Sequence, residues 1–440
     1  MPLRIGCGSG GAPDRVAPAE DLAQRGRLDY LCFESLAERT LAQGHVSRLS
    51  GGAGYSPKLE ARFRAVLPHC VRNGTRVLTN MGAADPKGAG EATARLAKEL
   101  GLSLKIAVVT GDDVLSLITP ETQLPETGGT VSSFGREPIA ANAYIGYEAL
   151  AEALSEGADV VIAGRVSDSS LFLAPIAHEL RIAPDDWTML ARGALVGHLL
   201  ECSTQVTGGY FADPGYKDVP GLDNLGYPLA EVADDGSAVI TKLDGTGGCV
   251  TPMTVKEQLL YEVHDPSAYL TPDVSADFST VRITVDGPDR VRVSEASGRA
   301  RPDQLKALVG FDGGFLGEGE IGYAGPGALD RAWLAAEVAR KRMIERNGFN
   351  GELRLDLIGA ASLHATAGML SQSEDIRLRG ALRSLDRKWA DLLLEEIESL
   401  WMGGPAGGGG FRGRVTPSVI TQPTFVNRAD VRCAVTWIAS

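Results

Sequence analysis

The sequence lacks three features that would each define a class of protein. Its six cysteines form no CxxC or zinc-knuckle spacing, which in a long chain is typical of a reducing compartment. No apolar run reaches the roughly 18–20 residues that a membrane helix needs. The N-terminus opens directly into strand-like Leu3–Ile5 without the apolar region of a signal peptide. We therefore expect a cytoplasmic protein with no membrane partner.

Positive charge is also scarce, because the formal net charge is −13. Binding to nucleic acid requires clustered lysine and arginine, and Arg340-Lys341-Arg342 is only a short basic run. The acidity does not exclude a small anionic ligand held by individual arginines. GxSxG, HExxH and Walker motifs are missing, which disfavours an esterase, a zincin or a P-loop ATPase.

Glycine, by contrast, is abundant, with 54 residues where about 7% is usual. Most of these glycines stand in short turns, as expected where backbone closely approaches a ligand. In the first half of the chain, helical patterns separate continuous apolar runs that we predict to be buried strands. The predicted strands are Leu3–Gly6, Leu28–Phe33, Arg76–Leu78, Leu104–Val109 and Asp159–Ala163.

This alternation predicts an α/β fold, with a mostly parallel sheet and helical crossovers. Later in the chain, a hairpin over residues 281–293, long helices and strand-like segments predict an α+β region. We therefore expect two domains. Residues 1–270 would form the parallel α/β domain that carries the site, and residues 271–440 a smaller α+β domain with a Gly-rich loop.

Polar residues follow each predicted strand, and ligands of α/β folds bind at the carboxyl ends of strands. Carboxylates beside an arginine can hold a metal, transfer protons or clamp a substrate carboxylate. The alternative is helix N-capping by the aspartates. The candidate catalytic residues at these ends are Glu34, Asp112, Asp113, Arg165 and Asp168, and the candidate substrate-binding residues are Asn80 and Gly82.

Two further patterns leave alternatives open. Gly6-x-Gly8-x-x-Gly11 with Glu34 has the form of a dinucleotide fingerprint, although prolines in the following loop delay the helix. The same glycines could line another ligand or form a plain turn. His198 and Glu201 share one face of a predicted helix. They could be metal ligands, a base with its partner, or a surface contact. His364, after a later strand, is a weaker candidate.

Three glycine loops are candidate anion or substrate sites, because glycine lets backbone N–H groups surround a ligand. The second loop precedes a helix that we expect Thr254 and Glu257 to cap. The alternative for the third loop is a mobile surface segment. The residues proposed to bind substrate are Gly208, Gly209 and Tyr210 in the first loop, Gly247 and Gly248 in the second, and Gly407, Gly408 and Arg412 in the third.

Several longer phrases resemble the acyclic terpene utilisation (AtuA-like) family over nearly the whole chain. They include Phe33-Glu-Ser-Leu-Ala-Glu-Arg-Thr, Thr79-Asn-Met-Gly-Ala-Ala-Asp-Pro, Gly164-Arg-Val-Ser-Asp-Ser-Ser-Leu, Gly197-His-Leu-Leu-Glu-Cys-Ser-Thr-Gln-Val-Thr-Gly-Gly-Tyr-Phe, Gly245-Thr-Gly-Gly with Glu257-Gln-Leu-Leu-Tyr-Glu, and Gly404-Pro-Ala-Gly-Gly-Gly-Gly. The resemblance implies an enzyme of branched-chain or isoprenoid acid breakdown that works beside enzymes of coenzyme A thioesters. Many relatives carry a further small C-terminal domain or pair with a small subunit. We therefore expect either a partner subunit or a self-sufficient variant.

These observations lead to one preferred function and two alternatives. The preferred function is a lyase or hydro-lyase acting on a carboxylated acyl substrate, with coenzyme A as part of that substrate. Asp112, Asp113 or His198 would move the proton, and Arg165 would hold a carboxylate. The alternatives are an NAD(P)-dependent oxidoreductase using the first glycine loop, and a non-catalytic subunit that binds acyl thioesters or scaffolds a complex. We expect a homo-oligomer, and the sequence leaves open a divalent metal.

Overall fold

The computed structural model describes residues 2–363 and 373–439. The chain divides into two compact units, one of Met1–Gly310 with Thr421–Ser440 and one of Phe311–Ile420. The sequence-based boundary near residue 270 stays a prediction, and His364 lies outside the described residues. Within the described part of the chain, no helix is long and apolar enough to cross a membrane.

The first 201 residues alternate strands and helices, as the sequence predicts. The elements are β1 (Leu3–Gly10), α1 (Ala17–Arg25), β2 (Tyr30–Glu34), α2 (Glu38–Leu49), α3 (Leu59–Asn73), β3 (Arg76–Thr79), α4 (Pro86–Glu99), β4 (Ile106–Thr110), β5 (Gln123–Leu124), β6 (Gly129–Thr130), α5 (Val131–Phe134), β7 (Pro138–Ala143), α6 (Glu148–Ser155), β8 (Val160–Ala163), α7 (Asp168–Glu179) and α8 (Trp187–Glu201).

The remainder of the chain is richer in strands. Its elements are β9 (Pro228–Val232), β10 (Ala238–Lys242), α9 (Pro252–Leu260), β11 (Tyr269–Leu270), β12 (Ser275–Asp277), β13 (Arg282–Gly287), β14 (Arg290–Ser294), β15 (Ser297–Arg299), β16 (Gln304–Ala324), α10 (Ala328–Lys341), β17 (Leu353–Ile358), β18 (Asp375–Ser384), α11 (Arg387–Gly403), β19 (Gly409–Asn427) and β20 (Ala434–Ile438).

The main sheet of the first unit is mixed, which corrects the expectation of a mostly parallel sheet. Its strand order is β13-β14-β10-β9-β1-β2-β3-β8-β4-β20. The five predicted strands stand together in its centre as β1-β2-β3-β8-β4 and pair in parallel. Antiparallel strands flank this block on both sides, because β9–β10 and β13–β14 are hairpins and β20 pairs with β4.

Both faces of the central strands are buried, as their continuous apolar runs predict. Cys32 and Val161 face a core that includes residues of α6, α7 and α8. Phe33 and Ile162, the next residues along the same strands, face a second core that includes residues of α1, α3 and α4. Side chains of a strand alternate between faces, so a run without polar residues serves both cores. Only the strand ends remain for polar groups.

The start of α9 differs from the prediction of a Thr254–Glu257 capping box. The helix begins at Pro252, and Thr251 is the N-cap residue, whose side chain accepts a hydrogen bond from the N–H of Thr254. In turn, the hydroxyl oxygen of Thr254 accepts a hydrogen bond from the N–H of Thr251. Proline at the first helical position leaves no donor unsatisfied, and it sets the start three residues earlier than expected.

The second unit has a sheet and a core of its own. Its strand order is β17-β18-β16-β19, and β18 pairs antiparallel with both β16 and β17. α10 and α11 contribute Ala332, Leu393 and Ile397 to a core that also contains Ile321 and Leu378. The predicted helices Ala328–Asn347 and Arg383–Trp401 correspond to α10 with the turn that follows it and to α11.

Candidate functional site

The carboxyl ends of the parallel strands bring four of the candidate residues together. Glu34 ends β2, Asn80 follows β3, Arg165 follows β8 and Asp112 follows β4. The Asn80 side-chain N–H donates to Glu34 Oε1 over 2.9 Å, and the Arg165 backbone N–H donates to Asp112 Oδ2 over 2.8 Å. These side chains are buried. Parallel strands end at one edge, so residues far apart in sequence meet there.

Glu34 is the carboxyl group best suited to proton transfer. Burial raises its pKa to about 7, and the negative charge of Glu201 acts in the same direction. The positive charge of Arg165 and hydrogen bonds from Asn80 and the N–H of Leu36 oppose that rise. A carboxyl group with a pKa near 7 is present as both acid and base at neutral pH.

Arg165 is committed largely to the protein itself. Its Nε donates to the carbonyl of Val166 over 3.0 Å and its Nη1 to the carbonyl of Leu36 over 2.6 Å. Nη2 is paired with the carboxylate of Asp168. Arg165 is 1% exposed. It therefore supplies a fixed positive charge beside Glu34, with few donors left to clamp a substrate carboxylate.

Asp112 belongs to a buried chain of polar groups that the sequence analysis did not include. The side-chain N–H of Asn142 donates to Asp112 Oδ2 over 2.9 Å, and His45 Nε2 donates to Asn142 Oδ1 over 2.7 Å. Burial raises the pKa of Asp112 to about 6, against hydrogen bonds from Arg165 and Asn142. Burial lowers the pKa of His45, which favours a neutral ring. Asn142 carries no sequence signal, because it lies inside the short strand β7 rather than at the end of one of the predicted strands.

Tyr144 is a second residue that the sequence did not reveal. The guanidinium of Arg165 lies 4.2 Å from the centre of the Tyr144 ring, and Lys306 Nζ lies 4.8 Å from it. The Tyr144 hydroxyl donates to Glu38 Oε1 over 2.7 Å. Cations over an aromatic ring are stabilised by its electron-rich face. The ring therefore helps to hold Arg165 in place.

His198 and Glu201 form a buried pair at the end of α8. His198 Nδ1 lies 3.0 Å from Glu201 Oε1, and Nε2 lies 3.2 Å from the carbonyl oxygen of Leu259. Burial lowers the pKa of His198, but the hydrogen bonds and charge of Glu201 outweigh it, and the net shift is upward. An acceptor faces each ring nitrogen, which favours the protonated form of His198. Glu201 Oε2 is buried and has no partner among the described residues.

The end of β1 brings this pair towards Glu34. Gly10 stands opposite Glu34 in the β1–β2 register. A Cβ at Gly10 would overlap the backbone at Glu201 and Cys202. Glycine at this position lets the end of α8 pack directly on the sheet. The negative charge of Glu201 then reaches Glu34 and raises its pKa.

The first glycine motif does not form a nucleotide-binding turn. Gly6 and Gly8 lie inside β1, where their missing side chains leave room for Leu28 and Phe33. Only Gly11 lies beyond the strand. The dinucleotide fingerprint needs its glycines in the turn between strand and helix. This geometry does not favour the oxidoreductase alternative.

The remaining strand-end candidates have local roles. Asp113 is exposed, and its Oδ1 accepts from the N–H of Leu115 over 3.1 Å, as in a turn. Asp168 is in the first turn of α7 and neutralises Arg165. A Cβ at Gly82 would overlap the carbonyl of Ala163, so Gly82 allows the chain after β3 to approach β8.

The N–H groups of the predicted substrate-binding glycines 208, 209, 247 and 248 already donate to carbonyl oxygens of the protein. The N–H of Gly209 donates to Thr204, that of Gly247 to Asn224 and that of Gly248 to Pro220, each over 2.7 Å. The Gly208 N–H donates to Gln205 over 3.3 Å, and Tyr210 is 85% exposed. These N–H groups are therefore already bonded to carbonyl oxygens, within the first loop for Gly208 and Gly209 and between two segments for Gly247 and Gly248. Gly407, Gly408 and exposed Arg412 belong to the second unit.

A cavity of about 350 Å³ lies at the carboxyl ends of β1 and β2, beside α2. Ser35 and Leu36, the residues after Glu34, are part of its wall. A larger cavity of about 1090 Å³ lies at the opposite end of β1, where Arg4, Glu231 and Arg290 line it. That larger cavity contains ion pairs between its own walls. The smaller cavity is next to Glu34 along the chain, because Ser35 and Leu36 follow Glu34 directly.

No group of three or more histidine, cysteine, aspartate or glutamate side chains in the described part of the chain is arranged to hold a metal ion. The site consists instead of buried carboxyl groups, one guanidinium and a histidine. Carboxyl groups and histidine can bind and release protons, whereas the guanidinium keeps its charge.

The fold and this site define an α/β protein with buried carboxyl groups at the ends of its parallel strands. The chain matches the family model described as "Acyclic terpene utilisation family protein AtuA" over residues 3–437. It therefore belongs to the acyclic terpene utilisation family, as the phrases in its sequence suggest. A search of the curated proteins and a search of the solved structures each return no match.

Proposed function

We propose that the protein is an enzyme of isoprenoid or branched-chain acid breakdown, a lyase or hydro-lyase that acts on a carboxylated acyl substrate, most simply a coenzyme A thioester. The observation that carries this proposal is Glu34, a buried carboxyl group with a pKa raised by burial to about 7 at the strand ends. Family membership supports the pathway, and the carboxyl group supports the kind of chemistry.

In the hydro-lyase form of the reaction, Glu34 carries out both proton transfers, first taking up a proton and then giving it away. As a carboxylate it takes the proton from the carbon next to the acyl carbonyl. The neighbouring carbon then loses its hydroxyl group, which receives that proton from Glu34 and leaves as water, and a carbon–carbon double bond forms. The charge that develops on the acyl oxygen is stabilised by the fixed positive charge of Arg165.

The surrounding residues position Glu34 and set its pKa. Asn80 donates to one oxygen of the carboxyl group and so orients the other. The negative charge of Glu201, whose carboxylate lies 3.0 Å from His198 Nδ1, raises the pKa of Glu34. We therefore assign the proton transfer to Glu34 rather than to Asp113, which is exposed and engaged in a turn.

Metabolite profiling of a strain that lacks the gene tests this proposal. We expect a carboxylic acid or its thioester to accumulate, and the wild-type gene to remove it. Glu34→Gln keeps the size and hydrogen bonds of the side chain but cannot exchange a proton, so we expect it to restore less than 1% of the flux. Glu60→Gln, an exposed glutamate of α3, is the matched control and should restore it fully.

Full complementation by Glu34→Gln would exclude Glu34 as the proton-transfer group. The non-catalytic alternative would be favoured if flux also stayed intact in the three other variants, Asp112→Asn, Arg165→Ala and His198→Ala. Each variant protein should first be shown to unfold cooperatively. A loss of flux is then attributable to chemistry rather than to folding.

A further inference from the structure

The structure contains a buried arginine outside the proposed catalytic group. Arg62 lies in α3 and is fully buried. Its Nη1 donates to Ser35 Oγ over 2.6 Å and its Nη2 to the carbonyl of Gly11 over 2.8 Å. Its Nε is buried without a partner, and no carboxylate of the described residues forms a salt bridge with it.

Such an arrangement is costly without a compensating anion. Taking a guanidinium out of water costs several kcal/mol, which a paired carboxylate normally offsets. Asp14 and Glu34 attract Arg62 only from a distance, and burial lowers the pKa of Arg62 despite them. The carboxylate of Asp14 accepts instead from the N–H of Gly10, over 2.7 Å. Both terminal nitrogens of Arg62 therefore donate to neutral acceptors, and no carboxylate of the described residues pairs with its positive charge.

Ser35 connects this charge to the cavity of about 350 Å³. Ser35 Oγ accepts from Arg62 and lies 3.1 Å from Ser9 Oγ, and Ser9 in turn donates to the carbonyl of Glu34. Because the hydroxyl proton of Ser9 is donated to the carbonyl of Glu34, Ser35 is the donor in the 3.1 Å contact with Ser9, and its hydroxyl can turn from Ser9 to a ligand that offers a stronger acceptor. Most of the other wall is apolar, with Ala12, Leu36, Ala53, Tyr55, Pro57 and Ala83.

We infer that this cavity binds a monocarboxylate with a compact apolar body, whose carboxylate accepts from the Ser35 hydroxyl beside the Arg62 guanidinium. The volume is at the small end of the roughly 300–1,000 Å³ range of ligand pockets, which suits a short branched acid. The inference rests on the proposed function in one respect, since the acid group so bound would be that of the substrate, next to Glu34. Arg62, not Arg165, then selects the carboxylate.

Binding of two isosteric probes tests this inference without any turnover. We choose 3-methylbutanoate and its neutral amide, 3-methylbutanamide, measured by isothermal titration calorimetry at pH 7.5 with the full chain. The wild-type protein should bind the carboxylate at least tenfold more tightly than the amide. Ser35→Ala should lower the affinity for the carboxylate at least tenfold and leave that for the amide within about twofold.

Two further variants complete the design. Ser47→Ala removes another hydroxyl from the same wall, one that does not contact Arg62, and should keep the preference for the carboxylate. Ala12→Leu fills the cavity and should abolish binding of both probes. Equal affinity of the wild-type protein for the two probes, or no binding of the carboxylate, would overturn the inference. So would an unchanged preference in Ser35→Ala.

The outcome is separable from that of the proposed function. Glu34→Gln should keep the preference for the carboxylate while it fails to restore flux. If binding behaves as expected and Glu34→Gln restores flux, the cavity stands and the catalytic assignment fails. If flux is lost in Glu34→Gln but the wild-type protein does not prefer the carboxylate, the catalytic assignment stands and the cavity assignment fails.

Discussion

At the residue scale, the buried Asp112 carboxylate depends on a donor from a distant part of the chain, the side-chain N–H of Asn142. Glu34, Asn80, Asp112 and Arg165 could be found because each follows an apolar run, which places it at the edge of the sheet. Asn142 shows no such pattern, because it lies in a short strand far along the chain. Its position depends on how the segment after β4 returns to the sheet, and tertiary packing decides that.

Asn142 is nevertheless expected to matter for stability. Asn142→Ala removes one of two donors to the buried Asp112 carboxylate and also leaves His45 without its acceptor. Leaving a buried group unsatisfied costs about 1–3 kcal/mol. The loss should be larger at pH 8 than at pH 5, because the pKa of Asp112 is about 6 and the carboxylate form needs the donor.

Urea denaturation at the two pH values measures this effect. Asn224→Ala, at an exposed position, serves as the control and should change the free energy of unfolding by less than about 0.5 kcal/mol. If Asn142→Ala lowered the free energy of unfolding equally at both pH values, the contribution of Asn142 to stability would not depend on the ionisation of Asp112.

At the scale of elements, the five central strands, their helices and the hairpin over residues 281–293 were predictable, but the order in which the outer strands join the sheet was not. Continuous apolar runs identify strands that are buried on both faces. They do not say which strands will add to the edges. The β9–β10 hairpin could have extended either sheet edge or formed a separate sheet, since local sequence sets the hairpin but not its docking. The mixed character of the sheet follows from that choice.

The packing of the end of α8 against β1 depends on Gly10. Gly10→Ala would place a methyl group against the backbone at the end of α8, with no flexible side chain to give way. Overpacking of this kind costs about 1–3 kcal/mol. We also expect reduced flux, because the shift moves Glu201 relative to Glu34.

Gly11→Ala is a matched control one residue along the chain. Its nearest neighbour for a new Cβ is the Pro13 side chain at 3.5 Å, an ordinary contact. It should leave the melting temperature nearly unchanged and the flux intact. If Gly11→Ala reduced flux and melting temperature more than Gly10→Ala did, the result would support a nucleotide-binding turn at Gly11 rather than a packing role for Gly10.

At the scale of the whole molecule, the first unit holds several buried carboxyl groups whose ionisation opposes folding. Burial raises the pKa of Glu34 and of Asp273 to about 7 and that of Asp112 to about 6. A carboxyl group whose pKa is higher in the folded state stabilises the fold while it is protonated. That contribution is lost as the pH rises from about 4 through 7. The protein should therefore become less stable over this range.

Asp273 isolates this effect away from the proposed catalytic group. It is buried, and it accepts hydrogen bonds from the N–H of Tyr147 and from the hydroxyl of Ser170, which links α6 to α7. Asp273→Asn keeps an acceptor for Tyr147 and removes the charge. It should match the wild-type protein near pH 4 and exceed its stability at pH 8, by at most about 4 kcal/mol.

Melting temperatures measured from pH 4 to pH 8 provide the test. Asp330→Asn, on the exposed surface of α10, changes the net charge equally and should show no comparable gain at high pH. If Asp273→Asn gave the same difference from the wild-type protein at every pH, burial of the Asp273 charge would not limit stability. A gain confined to high pH would instead show that this unit keeps a carboxyl group buried at the expense of stability.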